Sequence, residues 1–189
     1  MIERLVRRNR SYRRFKQEVA VERSVLRELV DLARLSASAM NLQPLRFILA
    51  CEPEKNRRVF PHLRWAGFLK DWPGPAEGER PSAYIVILND TGLAGSCGCD
   101  HGIAAQSILL GASERGLGGC MIGSIDKKGL REALDIPPRY DIVLAVALGE
   151  TNEKVVIEEA GPDGDTKYYR TADGVHHVPK RSLDDIILG

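Results

Sequence analysis

The sequence predicts a single domain of helices packed on a sheet, and three observations predict it. The stretch from Asp100 to Arg115 is a helix apolar nearly all round, so it must be buried. Two strands, Ala83 to Leu88 and Ile142 to Leu148, are apolar at nearly every position, as expected where both faces are covered. An amphipathic helix, Val21 to Leu35, carries Val25, Leu29, Leu32 and Ala33 at helical spacing, with Glu22, Arg23, Arg27, Glu28 and Asp31 facing out. At 189 residues the chain supports one sizeable core, and residues 1–189 read as one domain.

The chain opens on Arg4, Arg7, Arg8, Arg10, Arg13, Arg14 and Lys16 against the single acid Glu3. Ile2, Leu5 and Val6 predict a short helix that breaks around Asn9-Arg10-Ser11, and Phe15 anchors the segment after the break. Three readings fit this basic opening. It is a solvated face; or it meets nucleic acid, with no aromatic platform beyond Tyr12 and Phe15; or it grips a small phosphate. For the last, Arg10, Ser11 and Arg13 combine guanidinium forks and a hydroxyl, which suit a dianion.

Ser36 to Pro44 is small, polar and weakly periodic. Pro44 forces Gln43 out of helical geometry, so the segment turns into a strand at Arg46 to Cys51. It is a plain connection, or a site in which Ser38, Asn41 and Gln43 offer three neutral hydrogen-bonding side chains to a polar heterocycle or sugar chain. Glu54 to His62 reads as a helix, and Asp71 to Pro81 as a surface loop by its prolines and glycines.

Asp100 is placed to cap the central helix, and Gly116 to close it in a left-handed turn. Its small residues Gly102, Ala104, Ala105, Ser107, Gly111 and Ala112 allow close approach of other backbones, a second subunit's among them. The glycines after this helix do not make the dinucleotide fingerprint, which needs G-x-G-x-x-G between a strand and the next helix. A tight turn accounts for Gly116 and Gly118; access of a flat ligand to the backbone accounts for Gly118, Gly119 and Gly123. Lys127 to Leu134 is a helix capped by Asp126. After Glu150, Val155 to Ile157 and Lys167 to Arg170 are short extended pieces in a tail that has no core of its own.

A net charge of +1 gives no global case for nucleic acid. The apolar runs are too short for a membrane, and no leader is evident, so a cytoplasmic protein is expected. Cys51 and Cys120 read as buried small hydrophobes. Cys97-Gly98-Cys99 with His101 lacks the paired C-x-x-C of structural zinc sites, and His176-His177 has no carboxylate or cysteine at ligand spacing. No metal site is expected.

Four pieces in register resemble the nitroreductase family of flavoenzymes: Asn9 to Phe15, Ser36 to Phe47, Gly116 to Ser124, and Pro179-Lys180-Arg181. The resemblance runs from end to end of the chain. It implies an α+β fold with a central mixed β-sheet flanked by helices, built as an intertwined homodimer with two FMN sites at its interface and residues 150–189 as an arm crossing the dimer. By position, Arg10, Ser11, Arg13, Lys180 and Arg181 would hold the FMN phosphate and ribityl chain. Ser38, Ala39, Met40 and Asn41 of the other subunit, with Gln43, would lie at the ring. Gly123, with Ile122 and Ser124, would bring a backbone N–H near the reactive flavin nitrogen.

The activity implied is transfer of hydride from NAD(P)H to FMN and then of electrons to a nitroaromatic, a quinone or a similar small acceptor, by a ping-pong mechanism. No catalytic side chain is assigned. The chain departs from the family pattern at Asn9, where many members are basic, and in lacking a long insertion over the active site, for which Asp71 to Pro81 would be a reduced cover. The alternatives are a flavoenzyme of other chemistry, reductive dehalogenation or flavin breakdown, and a non-enzymatic nucleic-acid binder.

Overall fold

The computed structural model describes all 189 residues. In chain order the elements are helix α1 (Ile2–Arg8), helix α2 (Arg23–Arg34), strand β1 (Leu45–Ala50), helix α3 (Pro53–Val59), strand β2 (Ala83–Asp90) and helix α4 (Asp100–Glu114). Next come strand β3 (Gly118–Ile122), helix α5 (Lys127–Ala133), strand β4 (Tyr140–Gly149), strands β5 (Val155–Glu159), β6 (Tyr169–Arg170) and β7 (His176–Lys180), and the one-turn helix α6 (Leu183–Ile186). No helix is long and apolar enough to cross a membrane.

The main sheet has the order β1-β2-β4-β3, and all three of its pairings are antiparallel. Parallel pairing is confined to the tail and to an isolated bridge between Ser11 and Gly119. Every residue of β2 is buried, because the sheet is covered on both sides. Ala83, Ile85 and Ile87 join a core with Leu26 and Leu29 of α2 and Ala104, Ala105 and Ile108 of α4. Tyr84, Val86 and Leu88 point the other way, into a core with Val59 of α3 and Leu130 of α5. Each fully buried aliphatic side chain contributes about 1.5–3 kcal/mol. The continuous apolar reading of β2 is therefore the signature of two cores, one on each face.

Helix α4 is the hub expected of it. Gly111 lets α2 come close: a Cβ there would meet Leu32 and lie 3.0 Å from Leu29 Cδ2. One side stays open, with Gly102 and Ile103 exposed and Gln106 and Leu110 half-buried. Gly116 closes the helix at φ +81°, and the Asp126 carboxylate caps α5 by accepting from Gly129 N at 3.0 Å.

Two stretches differ from the sequence reading. The helix from Glu54 gives way at Phe60–His62 to a 3₁₀ turn, because Pro61 has no N–H to continue the α-helical ladder. The tail is more than bare extended pieces. It folds into a second sheet, β5-β7-β6, with β5 and β7 parallel. Arg170 Nη2 lies 2.5 Å from the wholly buried carboxylate of Glu153, and that carboxylate ties the tail to the body by accepting from Arg13 N at 2.8 Å.

Gly119 and Gly123 make opposite predictions. A Cβ at Gly119 would stand 2.5 Å from Ala147 O and 2.6 Å from Leu109 Cδ2, so Gly119→Ala is expected to destabilise the fold by about 1–3 kcal/mol. At Gly123 the nearest atom, Leu144 Cδ1, is 4.0 Å away, and Gly123→Ala is expected to stay within about 0.5 kcal/mol of the parent. Urea denaturation of the two variants measures both.

Candidate functional site

The break after α1 turns the chain so that Tyr12 N donates to Gly119 O at 3.0 Å, laying residues 9–13 along the edge strand β3. The tail sheet comes up beside them. Arg10, Ser11, Arg13, His176 and Lys180, with Gln106 and Leu109 of α4, line a cavity of about 300 Å³. Two basic clusters from opposite ends of the sequence thus meet in space.

The cavity wall is built rather than incidental. Arg13 Nη1 donates to Ser11 O and to His176 Nε2, both at 3.2 Å, and its guanidinium lies 4.7 Å over the Tyr168 ring. Its backbone N donates to Glu153 Oε2 at 2.8 Å, the carboxylate that also receives Arg170. Arg10 Nη2 donates to Val6 O at 2.5 Å. Burial pushes His176 down to about 4, so the ring is neutral at pH 7. With Nε2 accepting from Arg13, the ring proton is assigned to Nδ1 from the hydrogen-bond pattern. That Nδ1–H and Arg10 Nε are both buried without an acceptor. Two unpaired donors and three cations on one cavity fit an oxyanion such as phosphate.

Ser38 to Gln43 lies elsewhere. It leads into β1, at the edge of the sheet opposite β3. Met40, Asn41 and Gln43 have φ of 50°, 54° and 50°, left-handed conformations that cost a non-glycine residue roughly 1–2 kcal/mol. The loop is fixed by its neighbours. Ser38 Oγ donates to Asp100 Oδ2 at 2.6 Å and accepts from Gln43 N at 2.9 Å, and Ala39 N donates to Asp100 Oδ1 at 3.1 Å. Arg46 Nη1 donates to Gln43 O at 3.2 Å, and Arg46 also lies 3.4 Å from the buried Asp90 carboxylate. Ser38 and Gln43 border a second cavity, of about 160 Å³, with Asp100 and Arg46.

Asp100 is therefore not the cap of its own helix. Cys99 holds that position, and no side chain caps α4. The carboxylate reaches across to the loop instead. Gly118 and Gly119 are likewise explained by packing, since a Cβ at Gly118 would lie 2.6 Å from Tyr12 Cδ2. Ile122 is buried in β3, in the core with Tyr84 and Leu130, and Gly123 and Ser124 are exposed just beyond it. Gly123 alone of the three candidate glycines has open space where a side chain would be. Arg181 is exposed beside Gly164, outside the cavity. Loop 71–81 contributes nothing to the wall of the Arg10–Lys180 cavity. It is tied down by Trp72, with Arg14 5.9 Å and Arg170 4.6 Å from its ring.

Sequence reasoning alone does not find Asp100, Gln106, Glu153, Tyr168 and His176 as site residues. Asp100 carries a signal: it is the only acid on an otherwise apolar helix before Glu114. The thiols Cys97 and Cys99 are free, as are Cys51 and Cys120, and Cys97 Sγ lies 3.4 Å from His101 Nδ1.

A model of the nitroreductase family matches residues 6–91 and 98–150. The chain belongs to the nitroreductase family. It is similar over its whole length, at 19% identity and a TM-score of 0.73, to all of a nitroreductase family protein from Streptococcus pneumoniae TIGR4. It is 30% identical, with a TM-score of 0.65, to an FMN-dependent nitroreductase from Clostridium difficile R20291, over 82% of this chain and 89% of that one. An enone reductase of gut-bacterial fatty acid saturation shares the fold at 19% identity, with a TM-score of 0.67 over 79% of this chain and 88% of that one. The nitroreductase fold is thus present, and the chain is a flavoprotein oxidoreductase of that family.

His176 makes a testable contribution to stability. An unhindered histidine titrates near 6.5, and the buried one near 4, so the unfolded chain binds a proton in that window that the folded chain refuses. Stability present above pH 6.5 is lost as pH falls toward 4, by on the order of 3 kcal/mol. His176→Gln keeps an acceptor for Arg13 and is expected to remove this part of the pH dependence. Urea midpoints near pH 7 and near pH 4 for both proteins measure it.

Proposed function

We propose that the protein is an FMN-dependent oxidoreductase that accepts hydride from NAD(P)H and delivers electrons to a small acceptor, a nitroaromatic or quinone, by a ping-pong cycle. The observation that carries this reading is the convergence of Arg10, Arg13 and Lys180 on one cavity with no carboxylate paired to any of their charged heads. FMN, when bound, supplies the acceptance and donation of hydride. The chain supplies position: Arg10, Ser11, Arg13 and Lys180 hold the phosphate, and Gly123, with Ile122 and Ser124, lets the backbone approach the ring. Arg181, away from the cavity, is left out of the grip. No side chain is needed as a base, and none is assigned.

Ser38, Ala39, Met40, Asn41 and Gln43 reach the ring only from a second copy, because they and β3 stand at opposite edges of one sheet. The exposed apolar side chains of Met40, Leu42 and Ile103 suit burial in that homodimer. Ser38 would meet the flavin through its backbone, its hydroxyl being committed to Asp100 and Gln43.

The purified protein is expected to be yellow, with FMN released intact on denaturation; a colourless protein that takes up no added FMN overturns the reading. Lys180→Ala is expected to weaken FMN binding roughly 10- to 150-fold, the loss of one charge-assisted hydrogen bond. Arg7→Ala, on an exposed face paired with Glu3, is expected to leave it unchanged. Equal effects at both positions would point to a diffuse basic patch instead.

The shared site has its own test. A Lys180→Glu chain refolded together with a chain bearing a bulky residue at Asn41 is expected to recover one FMN per heterodimer. Heterodimers that bind no flavin would show that each site belongs to one chain.

A further inference from the structure

We infer that Asp100 is the positioning residue of the Ser38–Gln43 loop, a role that rests on the flavin reading above. Its carboxylate is buried, 3% exposed, yet no cation neutralises it. It sits in the first turn of α4, where the helix dipole favours negative charge. Both oxygens are spent on the loop, Oδ2 on the Ser38 hydroxyl at 2.6 Å and Oδ1 on Ala39 N at 3.1 Å. Ser38 Oγ in turn accepts from Gln43 N, so one carboxylate governs both ends of the segment.

The loop needs such a hold. Three of its residues, none a glycine, stand in the left-handed region, a conformation that persists only where surroundings over-determine it. A second rung repeats the tie farther along the same helix face: Ser36 Oγ pairs with Ser107 Oγ at 2.7 Å. Both rungs fix the loop to the helix that also lines the anion cavity with Gln106 and Leu109. Asp100 touches no expected ligand position itself. It acts through Ser38 and Ala39, setting where the backbone of Ala39, Met40 and Asn41 is presented.

Wild type, Asp100→Ala, Asp100→Asn and Ser38→Ala, each checked for fold by far-UV circular dichroism, test this. FMN is titrated by quenching of its fluorescence, the visible circular dichroism of the bound flavin is recorded, and the apo-proteins are digested with chymotrypsin, which has exposed sites at Leu35 and Leu42. Asp100→Ala is expected to bind FMN at least about 10-fold more weakly, to alter the flavin dichroism and to be cut faster at Leu42. Asp100→Asn still offers an acceptor to Ala39 N and a donor to Ser38, and is expected to recover most of the affinity. If Asp100→Ala does not fold, Ser38→Ala removes the same bond from the loop side and carries the test. Wild-type affinity, dichroism and cleavage in the folded variant overturn the role, and so does a loss of thermal stability alone. A wild type that takes up no FMN overturns the flavin reading, and the cleavage rates then decide whether Asp100 holds the loop.

Discussion

A sheet covered on both faces leaves no room for a ligand at its centre. That constraint shapes everything else in this molecule. Eight consecutive residues of β2 are buried between two cores, so polar chemistry is displaced to the margins. It collects along β3 at one edge, before β1 at the other, and in the terminal segments that lie against them. Helix α4 alone touches both regions. Its Asp100 and Ala104 border the cavity beside Ser38, and its Gln106 and Leu109 border the one with Lys180. A helix apolar nearly all round can serve in this way because its few polar groups are free for specific partners.

The parts of the fold that follow from local rules were legible. Periodicity found α2, an apolar stretch covering the whole helix circumference found α4, continuous apolar runs found β2 and β4, and Asp126 and Gly116 marked helix ends by ordinary capping chemistry. The basic residues at positions 10 and 13 stand out as charge without counter-charge, Lys180 enters only through the family resemblance, and the fold brings the three to one cavity. The features that stayed hidden depend on distant neighbours. Asp100 at the start of a helix reads as a cap, and only the tertiary fold shows Ser38, 62 positions away in sequence, as its partner. Gly118, Gly119 and Gly123 look equivalent in a string. They differ only in what a Cβ would strike. β7 escaped because Pro179 removes a ladder donor and because its partner β5 is equally weak on its own. The neutrality of His176 comes from burial under Tyr168 and Arg13, which no local pattern records.

The tail shows how a segment without a core of its own is held. Its three strands are short and mostly half-exposed. The buried Arg170–Glu153 pair binds the tail to itself, while the bond from Arg13 N to Glu153, the Arg13–His176 contact and the Tyr168 ring over Arg13 join it to the first fifteen residues. A buried ion pair of this kind is weak support for stability in itself, yet breaking one partner leaves the other charge uncompensated. It therefore fixes register more than it adds free energy.

The anion cavity draws one wall from residues 9–13 and the other from residues 168–180. During synthesis the amino-terminal wall leaves the ribosome first. Helices α1 to α5 and the main sheet are all synthesised before the second wall exists. A ligand gripped by both walls has nowhere to lodge until residues 168–180 have joined the fold. Loading then follows the docking of the tail and is governed by the supply of ligand in the surrounding solution, and chains that fold while that supply is short would accumulate as empty protein ready to be filled.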